Sequence, residues 1–114
     1  SYESFIDGVL PGLVERKIGV LAMKTLANGR FMGVGLPDDR GEDVVPGRIS
    51  LQQALAFAWS LPISVLIYGP DNVKQLEQTL HVARTFDSLD VDARQALVAH
   101  VADLAGNRVE YYKA

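Results

Sequence analysis

Two places in this chain combine residue types that could do chemistry: Lys24, and the stretch Gly69-Pro70-Asp71-Asn72. Lys24 follows the apolar run Ile18-Gly19-Val20-Leu21-Ala22-Met23, which reads as a buried strand with the lysine at its carboxyl end. Open α/β sheets and β/α barrels build their sites at that end. A lysine there suits an anion, and Met23 beside it offers an apolar, polarizable face to a planar ring. The same spacing fits a lysine that merely ends a strand. The second place follows the β-branched and aromatic run Ile63 to Tyr68, bounded by Pro62 and by Gly69-Pro70, which suits a strand buried on both faces. Asn72 and Gln75 have the spacing of a reciprocal helix cap that leaves amides free at the helix start. A strand feeding such a terminus is a natural phosphate cradle, and it is also the ordinary strand-turn-helix of an α/β domain.

Other candidates are weaker. His81 and His100 fall in predicted helices without a second histidine or a suitably spaced carboxylate, so they read as surface residues rather than metal ligands. Asp38, Asp39, Glu42 and Asp43 lack the ligand spacing of a calcium loop and read as a solvated acidic loop. Gly33-Val34-Gly35 completes neither a dinucleotide fingerprint nor a phosphate loop. Ser60 and Ser64 have no glycine-flanked nucleophile elbow. The absence of cysteine excludes disulfides and thiolate chemistry, and fits a reducing, cytoplasmic setting. A formal charge of -3 without a basic cluster argues against nucleic acid. No apolar run is long enough to span a bilayer.

The elements that must position these residues follow from periodicity. Residues 4–16 carry an apolar helical face at Phe5, Ile6, Val9, Leu10, Leu13 and Val14, with Pro11 placing the regular helix near residue 10 after an irregular lead-in. Residues 27–49 hold five glycines, two prolines and a charge cluster with no sustained period, so a long flexible loop is expected there. Ser50 and Gln53 form a capping-box pair ahead of Leu51, Ala54, Leu55, Ala58 and Trp59, the clearest helical stripe in the chain. The next helix, from Asn72, is expected to turn Val73, Leu76, Leu80 and Ala83 inward. Asp90 is expected to cap a last helix with Leu97, Val98, Val101, Leu104 and Ala105 inward, stopped by Gly106-Asn107. Strands alternating with helices predict an α/β fold with parallel pairing over a single unit, residues 1–114. Two strands alone leave both outer edges open, as in a slice of a larger α/β structure, and make self-association through those edges an alternative.

Gly19-Val20-Leu21-Ala22-Met23-Lys24-Thr25-Leu26 resembles the penultimate barrel strand of the aldo-keto reductases, in the branch reading G-V-x-A-M-K-x-L. The run from Ala54 to Val65 resembles that family's next helix and last strand, and Gly69 with Asn72-Val73-Lys74-Gln75-Leu76-Glu77 resembles the turn and helix that hold the adenosine phosphate of NADP. The segment from Phe86 to Leu97 is similar to the family's closing segment. The resemblance implies a C-terminal portion of a (β/α)8 TIM barrel, its last two strands with their helices. It also implies an NAD(P)-dependent oxidoreductase that reduces a small carbonyl substrate by hydride transfer. By position it places Met23 near the nicotinamide, Lys24 and Leu26 along the cofactor, and Gly69, Pro70, Asp71 and Asn72 at the phosphate. Gln75, Gln78 and Thr79 would then face the adenosine, and the 27–49 loop would help fold over cofactor and substrate. Many relatives carry arginine where Gln75 stands and Glu-Asn where Gln78-Thr79 stand; losing the arginine removes a charged fork for a 2′-phosphate and leaves the choice between NADP and NAD open. The family's catalytic aspartate, tyrosine, lysine and histidine come from the first half of the barrel, so no catalytic residue is expected here and the isolated chain is expected to be inactive. A stand-alone nucleotide-binding domain and a non-catalytic interaction module are the rival expectations.

Overall fold

The structure, a computed structural model, describes residues 4–27 and 48–105. Within them the order is α1 (Phe5–Gly8), α2 (Leu10–Glu15), β1 (Leu21–Ala22), α3 (Leu51–Trp59), β2 (Val65–Leu66), α4 (Val73–Thr85) and α5 (Val91–His100). A 3-10 turn, Ala102–Leu104, follows α5. The expected acidic loop, Gly33-Val34-Gly35, the Gly106-Asn107 stop and nearly all of the expected 27–49 loop lie outside the described residues.

This arrangement overturns the expected α/β fold, a portion of a (β/α)8 barrel. Helix dominates, and the only sheet among the described residues is a parallel pair of two-residue strands, Leu21 opposite Val65 and Ala22 opposite Leu66. The physical reason lies in the ends of the two apolar runs. Lys24 turns into the left-handed region at φ 58°, which stops β1. Pro62 and Gly69-Pro70 confine β2, since proline cannot donate to a ladder. Neither strand is buried on both faces. Leu21, Met23, Val65 and Ile67 alternate along one side of the pair and are each more than half exposed, whereas Val20, Leu66 and Tyr68 turn toward the helices.

Ser64 fixes the register of this pair at its amino end. Its amide donates to the Val20 carbonyl at 2.8 Å, and its Oγ accepts from the Val20 amide at 3.0 Å. Gly19 leaves room for that hydroxyl, because a Cβ there would meet Ser64 Oγ at 3.3 Å. At the carboxyl end the Ile67 amide donates to the Ala22 carbonyl at 2.8 Å.

α3 forms where its pattern and cap place it. Ser50 Oγ accepts from the Gln53 amide and Gln53 Oε1 accepts from the Ser50 amide, satisfying two orphan donors reciprocally. The helix buries Ala54, Leu55, Ala56 and Ala58, and Leu55, fully enclosed, anchors a core with Leu26, Ile49, Ala54 and Val82. Trp59 and Phe86 close this core with ring centroids 5.2 Å apart and planes tilted by 40°. The first helical face divides into α1 and α2, with Pro11 in the first turn of α2, where a missing amide costs least.

The two later helices sit differently from their expected stripes. In α4, Val73, Leu76, Leu80 and Ala83 face outward, and Thr79 and Val82 are the buried residues. The buried positions run on to Phe86, so the core side is set by what α3 and Leu26 offer rather than by the most apolar row of α4. In α5 and the turn beyond it, only Leu104 is buried, while Leu97 and Val101 are half-buried and Val98 and Ala105 are exposed.

Candidate functional site

Parallel pairing sends both strands out at one end, and the expected site residues divide there into groups. Met23 is 63% exposed just beyond β1. Lys24 is exposed, and its left-handed backbone opens a turn in which its carbonyl accepts from the Ala27 amide at 2.9 Å. A non-glycine residue in that region costs on the order of 1–2 kcal/mol, and such conformations cluster at functional sites. The turn sends Leu26 inward: it is a core residue, 8% exposed, rather than a surface along which a ligand lies.

From the end of β2 the chain passes through half-buried Tyr68 to Gly69, where an added Cβ would meet open space. Asp71 and Asn72 are exposed at the start of α4. Asn72 caps the helix, its Oδ1 accepting from the Gln75 amide at 3.0 Å. The return bond is shifted by one residue from the expected reciprocal cap, since Gln75 Oε1 accepts from the Asp71 amide at 2.8 Å. The amides of Val73 and Lys74 meet no protein acceptor among the described residues. Helix starts with N–H groups unpaired in this way, at the positive end of the helix dipole, suit anions in general.

The adenosine-facing trio shares one stripe of α4, at i, i+3 and i+4, but its members differ in exposure. Gln75 is half-buried and engaged by its own cap, and Gln78 is exposed. Thr79 is buried, 7% exposed, and its Oγ1 has no hydrogen-bond partner among the described residues. The start of α4 thus offers two backbone N–H groups beside Gly69, and Gln75 brings no charge to it. Among the described residues no group of histidines and carboxylates is placed to hold a metal ion, and no helix is long and apolar enough to cross a membrane.

Two further features escaped the sequence. An apolar hollow of about 190 Å³ between α1, β1 and α3 is lined by Ile6, Ala22, Phe57 and Ala58, with Thr25 bringing its one hydroxyl. A polar clasp joins Arg48, just before α3, to the end of α5. The Arg48 guanidinium donates to both Asp103 oxygens, at 3.0 and 2.6 Å, and to the His100 carbonyl at 2.8 Å. His100 Nε2 in turn lies 2.9 Å from the Arg48 carbonyl. The hydrogen bond from Arg48 holds the Asp103 carboxyl below its ordinary pKa, and the same bond raises that of the Arg48 guanidinium. Partners separated by more than 50 positions carry no spacing signal in a sequence.

Set against family models, curated proteins and solved structures, the chain finds no significant match in any of the three.

Proposed function

We propose that this chain is the cofactor-binding portion of an NAD(P)-dependent oxidoreductase that reduces carbonyls, and that it grips the pyrophosphate end of the dinucleotide at the start of α4. The observation that carries the reading is the shared carboxyl end of the parallel pair. Met23 and Lys24 leave β1 there, and Gly69 to Asn72 leave β2 there on the way to two unpaired helix amides. The bound dinucleotide would supply the hydride. Val73 and Lys74 would donate backbone hydrogen bonds to a phosphate oxygen, Gly69 would let it approach, and Asn72 would hold the helix end in shape. Met23 would offer its thioether and methyl to the nicotinamide ring. The likeness of the Gly19–Leu26 and Gly69–Glu77 segments to aldo-keto reductase segments supports the same reading. Proton donation to the carbonyl falls to a residue outside this sequence, so the isolated chain binds without turning over.

Isothermal titration calorimetry of the full chain with NADPH, NADH and ADP tests this. Saturable binding of all three, with little preference between NADPH and NADH because Gln75 brings no charge, is the expected result. A flat titration with all three at millimolar ligand would overturn it.

A second reading, self-association as a non-catalytic module, is favoured by a separate observation: Leu21, Met23, Val65 and Ile67 present an apolar face beside strand edges that pair with nothing among the described residues. A concentration-dependent sedimentation coefficient that salt does not abolish would support it.

A further inference from the structure

The last helix is held in an unusual way. None of the residues of α5 is buried, and Val91 and Val98 are 56% and 53% exposed. Its body contributes no residue to the core that α3, α4, Leu26 and Ile49 share. Beyond half-buried Leu97 and Val101 and the buried Leu104 in the turn that follows, what attaches it among the described residues is polar and sits at its two ends. At the amino end Arg94 donates to the Leu89 carbonyl at 2.8 Å and to the Ser60 carbonyl at 3.3 Å, while the Leu89 amide donates to Ser60 Oγ at 2.7 Å. At the carboxyl end Arg48 binds Asp103 through both nitrogens and also binds the His100 carbonyl. The exposed side chains of that pair, 35% for Arg48 and 64% for Asp103, leave the ion pair open to dissolved salt.

We infer that α5 is a detachable element, pinned by two arginines rather than by a core, which undocks as a unit while the α3–α4 core and the strand pair stay folded. Stability is distributed unevenly in proteins, and an element with little buried apolar contact opens far more often than the global unfolding rate. Here the opening is charge-controlled. Salt or a loss of the Arg48 fork loosens the carboxyl end, and the Arg94 bonds to backbone carbonyls then act as the remaining hinge. The α5 release exposes Arg48 and the Ser60 hydroxyl, both of which touch the ends of α3. This inference does not depend on nucleotide binding.

Native-state hydrogen exchange on the full chain tests it, resolved by residue at 20 mM and at 1 M sodium chloride. Amides from Arg94 to His100 are expected to exchange faster than those from Ala54 to Ser60 at low salt, and to accelerate several-fold more at high salt while the α3 amides hold. Arg48→Lys, which keeps the charge but loses the two-pronged geometry, is expected to give the same selective acceleration at low salt. Equal protection of α5 and α3, or α5 exchange that neither salt nor the substitution moves, would overturn the inference. The salt comparison uses the unmodified protein, so it stands even if the substitution disturbs folding.

Discussion

The contact between Gly19 and Ser64 makes a quantitative test of how the strand pair is held. Ser64→Ala removes the acceptor of the Val20 amide, which belongs to a residue only 6% exposed. An amide left unsatisfied in that position costs about 1–3 kcal/mol. Gly19→Ala has two opposed effects. Its backbone does not lie in the left-handed region, so alanine reduces the freedom of the unfolded chain and contributes about 0.4–1 kcal/mol of stability. The new methyl, however, stands 3.3 Å from Ser64 Oγ and must push it away from the Val20 amide. In the Ser64→Ala background the nearest remaining atom at that position is Cβ at 4.0 Å, an ordinary contact. Gly19→Ala should therefore be neutral or destabilising beside Ser64, and stabilising once Ser64 is gone. The coupling between the two sites is expected to be about 0.5–1 kcal/mol. Urea unfolding of the four proteins, followed by far-ultraviolet circular dichroism, measures it. Additivity within about 0.3 kcal/mol, or a Ser64→Ala variant as stable as the parent, would refute the clamp.

Thr79→Val removes a buried hydroxyl that has no partner among the described residues, and should raise stability by about 1 kcal/mol in the same urea assay. Leu55→Ala empties the centre of the core and should lower it by about 2–5 kcal/mol. Asn72→Asp keeps the cap and adds negative charge at the helix start, so it should preserve or raise stability while weakening nucleotide binding; a calorimetric titration in which binding is unchanged would count against a phosphate at that terminus. Because Arg48 lowers the Asp103 pKa in the folded state, the Asp103 contribution is fully present above the ordinary carboxylate range and is lost as pH falls through the folded value. Hydrogen exchange of α5 relative to α3 should accordingly accelerate on acidification below about pH 4, and Asp103→Asn should remove that pH dependence.

Local signals were readable where a residue acts on neighbours a few positions away. The Ser50–Gln53 box, the Asp90 cap and the Asn72 cap are written at fixed spacing, and each is made. Pro11 marks the start of α2 for the same reason, although the lead-in before it is itself helical as α1. What periodicity could not supply is which partner a face meets. The row Val73-Leu76-Leu80 is the more apolar side of α4, yet it is Val82 that joins the Leu55 core, with Thr79 buried one turn before it. The apolar runs Ile18 to Met23 and Ile63 to Tyr68 promised a buried sheet. A run acquires a second buried face only if other elements cover it, and among the described residues none lies over Leu21, Met23, Val65 and Ile67. The Arg48–Asp103 clasp and the placement of Leu26 in the core are long-range facts of the same kind. At the candidate site the Asn72 cap of α4 was legible from Asn72 and Gln75, while the one-residue shift of the Gln75 bond to Asp71 depended on the path from Gly69.

Amide chemical shifts of the ¹⁵N-labelled full chain during titration with NADPH test nucleotide binding at the start of α4 most directly. Saturable shifts concentrated on the amides of Gly69 and of Asp71 to Gln75, largest at Val73 and Lys74 and accompanied by that of Met23, are the predicted result. Shifts absent at millimolar NADPH, or spread over surface lysines without saturation, would contradict it.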